Sequence, residues 1–261
     1  MTRPSVEVSR RLIALARFME SLALMVMRPD DLVEFSRQKY LTPKSLADWG
    51  QEEFVQQGLT PQESGLIDRL ALMGGRALVL CAGGGREAIA FARLGFEVVA
   101  VDFTPAMVAR TLAHAARAGF RVSALVQEIS RLEMEASSFE LAWLSASMYS
   151  CVPARVRRIR MLRSIARALK PGGYFCCQFS FDPEMSFSLP GEWLKKAFAL
   201  ASRGNLCYER GDILWRGLEF IHTFTSRDEV AGEFAEGGFA LLYFCPPAAG
   251  DAAGAVLQRI G

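Results

Sequence analysis

The chain has 261 residues, 51% hydrophobic and 22% charged, with mean hydropathy +0.17. That composition excludes disorder, collagen and coiled coil as whole-chain descriptions. It suits one large domain with an accessory lobe, which can bury a core without disulfides or metals. With 30 Lys and Arg against 28 Asp and Glu, the formal charge of +2 lacks the basic excess of a dedicated nucleic-acid or membrane-surface protein.

From the N-terminus, residues 5–27 place Leu12, Leu15, Ala16, Met19, Leu22, Ala23 and Val26 at helical spacing. Arg17 and Glu20 interrupt the stretch, so it reads as an amphipathic helix and not as a membrane span or signal peptide. Residues 28–75 are more polar. Asp30 or Asp31 caps a helix running through Lys39, and Thr60-Pro61-Gln62-Glu63 opens another with proline in its first position. The first seventy-odd residues therefore read as short helices, set apart as a cap over 1–75, with the main domain at 76–261.

The pattern then changes. Apolar runs at Arg76–Cys81, Phe96–Val101, Phe120–Val126, Phe139–Leu144 and Tyr174–Ser180 alternate with helical segments at Arg86–Leu94, Pro105–Ala118 and Pro153–Lys170. Strands alternating with helices mean βαβ units and a parallel sheet. Residues 181–215 are too long for an ordinary connection and read as an insertion with a helix near Trp193–Ser202. Leu218–Phe224 is strand-like. Ser226 with Glu229 is a capping box, and Phe239–Cys245 with Ala255–Ile260 reads as a hairpin.

The chemistry concentrates in Ala77–Ala88 and Val98–Asp102. The glycines 83–85 between a strand and a helix allow close backbone approach to a ligand, and the helix start offers unpaired N–H groups. Asp102 ends the next strand about twenty residues on, where a carboxylate accepts both hydroxyls of a ribose. An adenosine-type ligand at the carboxyl ends of the strands follows. By themselves these residues fit either a nicotinamide or flavin cofactor, through G-x-G-x-x-A, or another adenosine compound.

The ordered set of motifs resembles the class I S-adenosylmethionine-dependent methyltransferases from about Arg76 onward. Leu78–Gly85 is similar to the family's first motif. Asp102-Phe103-Thr104-Pro105-Ala106-Met107 is similar to its acidic strand end, Gln127-Glu128-Ile129 to its adenine-edge pair, and Phe139–Trp143 to its fourth strand. Leu169–Tyr174 is similar to the turn into the fifth strand, and Phe224–Phe239 to the helix before the closing strands. The resemblance implies an α/β, three-layer Rossmann-like sandwich with a seven-stranded, mostly parallel sheet whose last strand is antiparallel. It also implies S-adenosylmethionine as cofactor. Cys81, Ala82, Gly83 and Gly85 would cradle its methionine end and Asp102 would bind its ribose. Phe103 and Met107 would flank the adenine, Glu128 and Ile129 would meet its edge, and Ser145 would line the methyl-donor side. Two positions depart from the family. Val79 stands where many members carry an acid, and Cys81 replaces the first glycine, though cysteine reaches positive φ at greater cost.

The function expected from this resemblance is methyl transfer to a small-molecule acceptor. An RNA substrate and a non-catalytic or nucleotide-binding Rossmann-like protein are the alternatives. Tyr149, His222 and Tyr40 are the candidates for a catalytic side chain, because each can exchange a proton and lies near the strand ends or the cap. His114 reads as a helix-surface residue. The cations of 155–170 interleave with apolar residues, as on a surface helix, so nucleic acid is not expected as a partner. No metal is expected, since only His114 and His222 accompany six cysteines and no C-x-x-C pair occurs. The cysteine pattern fits a reducing, cytoplasmic setting, with no membrane association.

Overall fold

The computed structural model describes residues 3–70, 72, 74–247 and 252–261. Prolines at or near the first helical position start α1 (Pro4–Val26), α2 (Pro29–Tyr40), α3 (Pro43–Gly50) and α5 (Pro61–Ile67), with α4 (Glu52–Gln56) between them. Thr60 caps α5 through the expected box, accepting the Glu63 amide while the Glu63 carboxylate accepts that of Thr60. In α1 the expected apolar stripe does not face the body. Leu12, Leu15 and Met19 are more than half exposed, and the helix packs through Leu24 and Met25 in its last turns.

The βαβ region follows as β1 (Gly75–Leu80), α6 (Arg86–Arg93), β2 (Phe96–Asp102), α7 (Pro105–Arg117), β3 (Val122–Val126), β4 (Phe139–Leu144), α8 (Arg155–Ala168) and β5 (Leu169–Phe179). The insertion contributes α9 (Leu189–Ser202) and β6 (Asp212–Trp215), which pairs antiparallel with β7 (Glu219–His222). Then come α10 (Arg227–Glu236), β8 (Phe239–Cys245) and β9 (Ala253–Arg259). The loop between the last two strands lies mostly outside the described residues.

The seven-stranded sheet has the order β3-β2-β1-β4-β5-β9-β8. The first five strands are parallel, and β9 runs antiparallel to both neighbours. The strand order reverses between β1 and β4, the switch point where open α/β sheets bind ligands at the strand carboxyl ends. The all-parallel sheet of the oxidoreductase alternative is absent among the described strands.

Both sheet faces are covered. On one face Leu78, Leu80 and Val101 pack against Leu162 and Ile165 of α8 and Phe234 of α10. On the other, Val79, Ala100 and Trp143 pack against Phe91 of α6 and Leu66 of α5. Val79, where many relatives carry an acid, is 1% exposed and belongs to this second core. A third, smaller core joins Leu24, Met25 and Leu32 of the N-terminal helices to Ala199, Tyr208 and Phe220 of the C-terminal half. The aromatics of the insertion are divided. Tyr208 enters that small core, whereas Trp193 is 76% exposed.

Candidate functional site

The loop after β1 turns sharply. Cys81 has φ 53°, Gly83 φ 53° and Gly85 φ 97°, all in the left-handed region. For Gly83 and Gly85 this is the ordinary use of glycine. For Cys81 it is the strained conformation foreseen at that replacement, costing on the order of 1–2 kcal/mol. A Cβ at Gly83 would meet no atom within 4 Å, so the backbone there borders open space. A Cβ at Gly84 would come within 2.5 Å of the Trp49 carbonyl, so α3 lies directly against the loop.

Open space at Gly83 belongs to a cavity of about 410 Å³ at the carboxyl ends of β1, β2 and β4. Cys81, Ala82, Gly83, Asp102, Phe103, Met107 and Ser145 line it together. Glu128 and Ile129 line a small annex, of about 60 Å³, that shares Cys81 and Phe103 with the main cavity. Glu128 also caps a short 3-10 turn by accepting the Ser130 amide at 2.9 Å. Asp102 is 6% exposed. Its two carboxylate oxygens accept the amides of Gly83 at 2.9 Å and Thr104 at 2.8 Å. Burial raises its pKa above the ordinary carboxylate value, against the lowering effect of those two amides.

Gly85 is the exception in the loop. It is the N-cap of α6, and a Cβ there would crowd Thr111 of α7 at 3.1 Å. It does not line the cavity, and its task is to let two helices approach. His114 is also not the surface residue expected. It is 7% exposed, and its Nδ1 hydrogen-bonds the Gly84 carbonyl at 2.8 Å, bracing the loop from behind.

Of the three catalytic candidates, only Tyr40 lines the cavity. Tyr149 is fully buried in an aromatic cluster with Phe179, Phe224 and Phe234, and its hydroxyl donates to Glu233 at 2.7 Å. Burial and that carboxylate push its pKa up, so it is closed off from any acceptor. His222 is also fully buried, with Nδ1 2.7 Å from Asp212 and Nε2 3.7 Å from Glu229. Burial alone would lower its pKa, but the hydrogen bond to Asp212 and the nearby Glu229 carboxylate outweigh this and raise it. It is an internal ion-pairing residue. The cavity is lined by its strand neighbours Glu219 and Ile221 instead.

Sequence reasoning missed Glu219. Its carboxylate is 5% exposed and accepts from both Lys39 Nζ and Tyr40 Oη of α2. Burial, with Cys151 and Glu219 beside it, raises the Tyr40 pKa strongly, so the phenol is a hydrogen-bond donor and not a base. Tyr40 meets Phe103 edge-on at 6.0 Å, and the Arg37 guanidinium lies 5.1 Å from the same ring. The only sequence signal for Glu219 was its place in a strand-like run. Its partners lie about 180 positions earlier.

Residues 77–173 match the family model described as a methyltransferase domain. A stretch of 129 residues is 29% identical to an uncharacterized methyltransferase of Synechocystis, covering 49% of this chain and 55% of that protein. A stretch of 105 residues is 34% identical to the ubiquinone biosynthesis O-methyltransferase of Xanthomonas campestris, covering 40% and 43%. The chain thus spans about half the length of the curated relatives it matches. A methyltransferase structure from Methanosarcina mazei superposes with TM-score 0.58 at 20% identity, over 78% of this chain and 99% of that one. One from Aquifex aeolicus gives 0.57 at 14%, over 84% and 100%. At such identities the likeness is one of fold. Residues 77–173 thus match a methyltransferase domain, and the superposed structures share the chain's fold.

Among the described residues no helix is long and apolar enough to cross a membrane.

Proposed function

We propose that the chain transfers the methyl group of S-adenosylmethionine to a small-molecule acceptor inside the cavity. The observation that carries this is the junction of Gly83 and Asp102. An open, side-chain-free stretch of backbone and a buried carboxylate border one cavity at the sheet's switch point. The residues fit an adenosine compound. Asp102 would receive the ribose hydroxyls, Phe103 and Met107 would flank the base, Glu128 and Ile129 would border its edge, and the Ala82–Gly83 backbone with Ser145 would face the methionyl end. S-adenosylmethionine supplies an already electrophilic methyl group, so the protein's tasks are alignment, exclusion of water and acceptance of a proton where the acceptor carries one.

In this reading residues 1–75 and the 181–215 insertion act as a lid. Tyr40 and Trp49 from the former, and Trp215 from the latter, border the cavity. A second cavity of about 560 Å³ shares Trp49, Phe54, Ala146 and Ser147 with the first and gives an acceptor room to enter. An RNA acceptor is disfavoured by the pairing of three of the six α8 arginines. Arg155 meets Glu236 at 2.6 Å, Arg157 meets Asp30 at 2.5 Å, and Arg158 meets Glu233 at 2.6 Å, fully buried. These guanidiniums are already neutralised, which leaves Arg160, Arg163 and Arg167 as the exposed arginines of α8 available to phosphates.

The test is calorimetric titration with S-adenosylhomocysteine, using NADH as control, followed by a screen of small acceptors with a labelled methyl donor. Binding of S-adenosylhomocysteine alone, and label transfer to a small molecule, are the expected results. Binding of neither nucleotide would leave a non-catalytic Rossmann-like protein, and binding of NADH alone would mean a different enzyme class.

A further inference from the structure

The cavity floor is one positive charge short. Arg86, in the first turn of α6, pairs bidentately with Glu63 of α5, Nη1 to Oε2 and Nη2 to Oε1, both at 2.7 Å. That pair alone is neutral and geometrically complete. Glu87 adds a second carboxylate, which reaches the same Nη2 at 2.6 Å. Side-chain exposures are 2% for Glu63, 8% for Arg86 and 9% for Glu87, so two carboxylates share one guanidinium almost out of water. Such a residual charge is costly unless something compensates it.

The bonding around Glu87 is lopsided. Its Oε1 accepts both from Arg86 and from Ser145 Oγ at 2.5 Å, at the end of β4. Among the described residues both side-chain donors go to Oε1 and none to Oε2, and Arg86 Nε is itself buried without a partner. A purely structural strut would use both oxygens. Arg86, Glu87 and Ser145 all line the cavity, beside the Ala82–Gly84 loop.

We propose that Glu87, held by Ser145 and Arg86, receives a cationic group of the bound ligand. Resting on the function proposed above, that group is the α-ammonium at the methionyl end of S-adenosylmethionine. The ammonium supplies the missing charge and donates to Oε2, while Ser145 and Arg86 keep Oε1 fixed. Glu87 is thereby a specificity-determining residue, selecting adenosyl compounds that carry an amino-acid end over those that lack it.

Three ligands separate this role from the rest of the site. They are S-adenosylhomocysteine, its deaminated analogue S-adenosyl-4-thiobutanoate, and 5′-methylthioadenosine, which lacks the methionyl end. Titrated calorimetrically, wild-type protein is expected to bind S-adenosylhomocysteine about tenfold or more tightly than the deaminated analogue, the scale of one lost charged hydrogen bond. Glu87→Gln is expected to abolish that preference, leaving methylthioadenosine affinity within about threefold of wild type. The ammonium and the carboxylate then show coupling in a double-perturbation cycle. Equal wild-type affinity for the first two ligands overturns the proposal. So does a Glu87→Gln variant that loses all three ligands equally, since that is a folding effect. Should Glu87→Gln not fold, the wild-type comparison decides alone. Wild-type protein that binds none of the three overturns the parent reading and this one with it. Binding without discrimination at the amine overturns only this one.

Discussion

The carboxylate of Asp102, at the end of β2, accepts the amide of Gly83 from the loop after β1 at 2.9 Å. One acid therefore shapes the loop that opens the cavity and, in the proposed function, would receive the ribose. Asp102→Asn keeps the volume and removes the charge. S-adenosylhomocysteine affinity should fall about ten- to a hundredfold, the range for a hydrogen bond to a charged group. Calorimetric titration of the variant checks this, and unchanged affinity would remove Asp102 from the ribose site.

Cys81 sits at φ 53°, where a glycine is cheaper. Cys81→Gly relieves backbone strain while giving up a partly buried side chain, and the two effects are of similar size. Its unfolding free energy should stay within about 1 kcal/mol of wild type. Cys81→Val places a β-branched residue in the same conformation and should cost about 2 kcal/mol. Urea denaturation of both variants separates the outcomes, and a Val variant as stable as the Gly variant would contradict the strain.

Lys39 and Tyr40 both donate to Glu219, and they tie the N-terminal helices to β7 across the cavity. Lys39→Met leaves Glu219 buried without its cation. With the lysine about a quarter exposed, the cost should be about 2–3 kcal/mol. Tyr40→Phe should cost about 1 kcal/mol through one lost hydrogen bond. If these contacts hold the lid closed, both variants release S-adenosylhomocysteine faster in stopped-flow measurements, and unaltered release rates would place the lid elsewhere.

His222 carries a pKa raised by its hydrogen bond to Asp212 and by the nearby Glu229 carboxylate, against burial and the nearby Arg158. A raised histidine pKa in the folded state means the fold binds the proton more tightly than the unfolded chain does. Its stabilisation is complete below the ordinary histidine value of about 6.5 and is lost as pH rises through the folded value. Wild type should therefore lose stability relative to His222→Asn as pH is raised from about 6 through that value. Parallel denaturation series at stepped pH test the sign, and a gap between the proteins that does not narrow would refute it.

The βαβ half was legible because its signals are local. Strand runs, turn glycines and the spacing from Gly83 to Asp102 lie within some twenty-five residues, and the strands form with small shifts at their ends except β5, which begins at Leu169 and takes in the segment read as the turn before it. The closing hairpin was readable for the same reason. Contacts formed at long range were not. Glu219 lies in a four-residue strand, and its significance depends on α2, far away in sequence. His114 and Glu87 were missed because polar residues on helices default to solvent. Here each is buried, by the Gly84 carbonyl in one case and by Arg86 and Ser145 in the other. Tyr149 and His222 misled for the opposite reason. Their chemistry suited catalysis, but their partners Glu233 and Asp212 hold them inside the core.

The Arg86–Glu63 pair has a consequence for descent. Breaking a buried pair of this kind costs about 3–5 kcal/mol, a large part of the roughly 5–15 kcal/mol that separates a folded domain from an unfolded one. A lineage that replaces either residue alone passes through a form close to losing its fold. Glu63 and Arg86 should therefore be inherited as one unit across this chain's relatives, exchanged together or kept together, although one belongs to the N-terminal helices and the other to the methyltransferase domain.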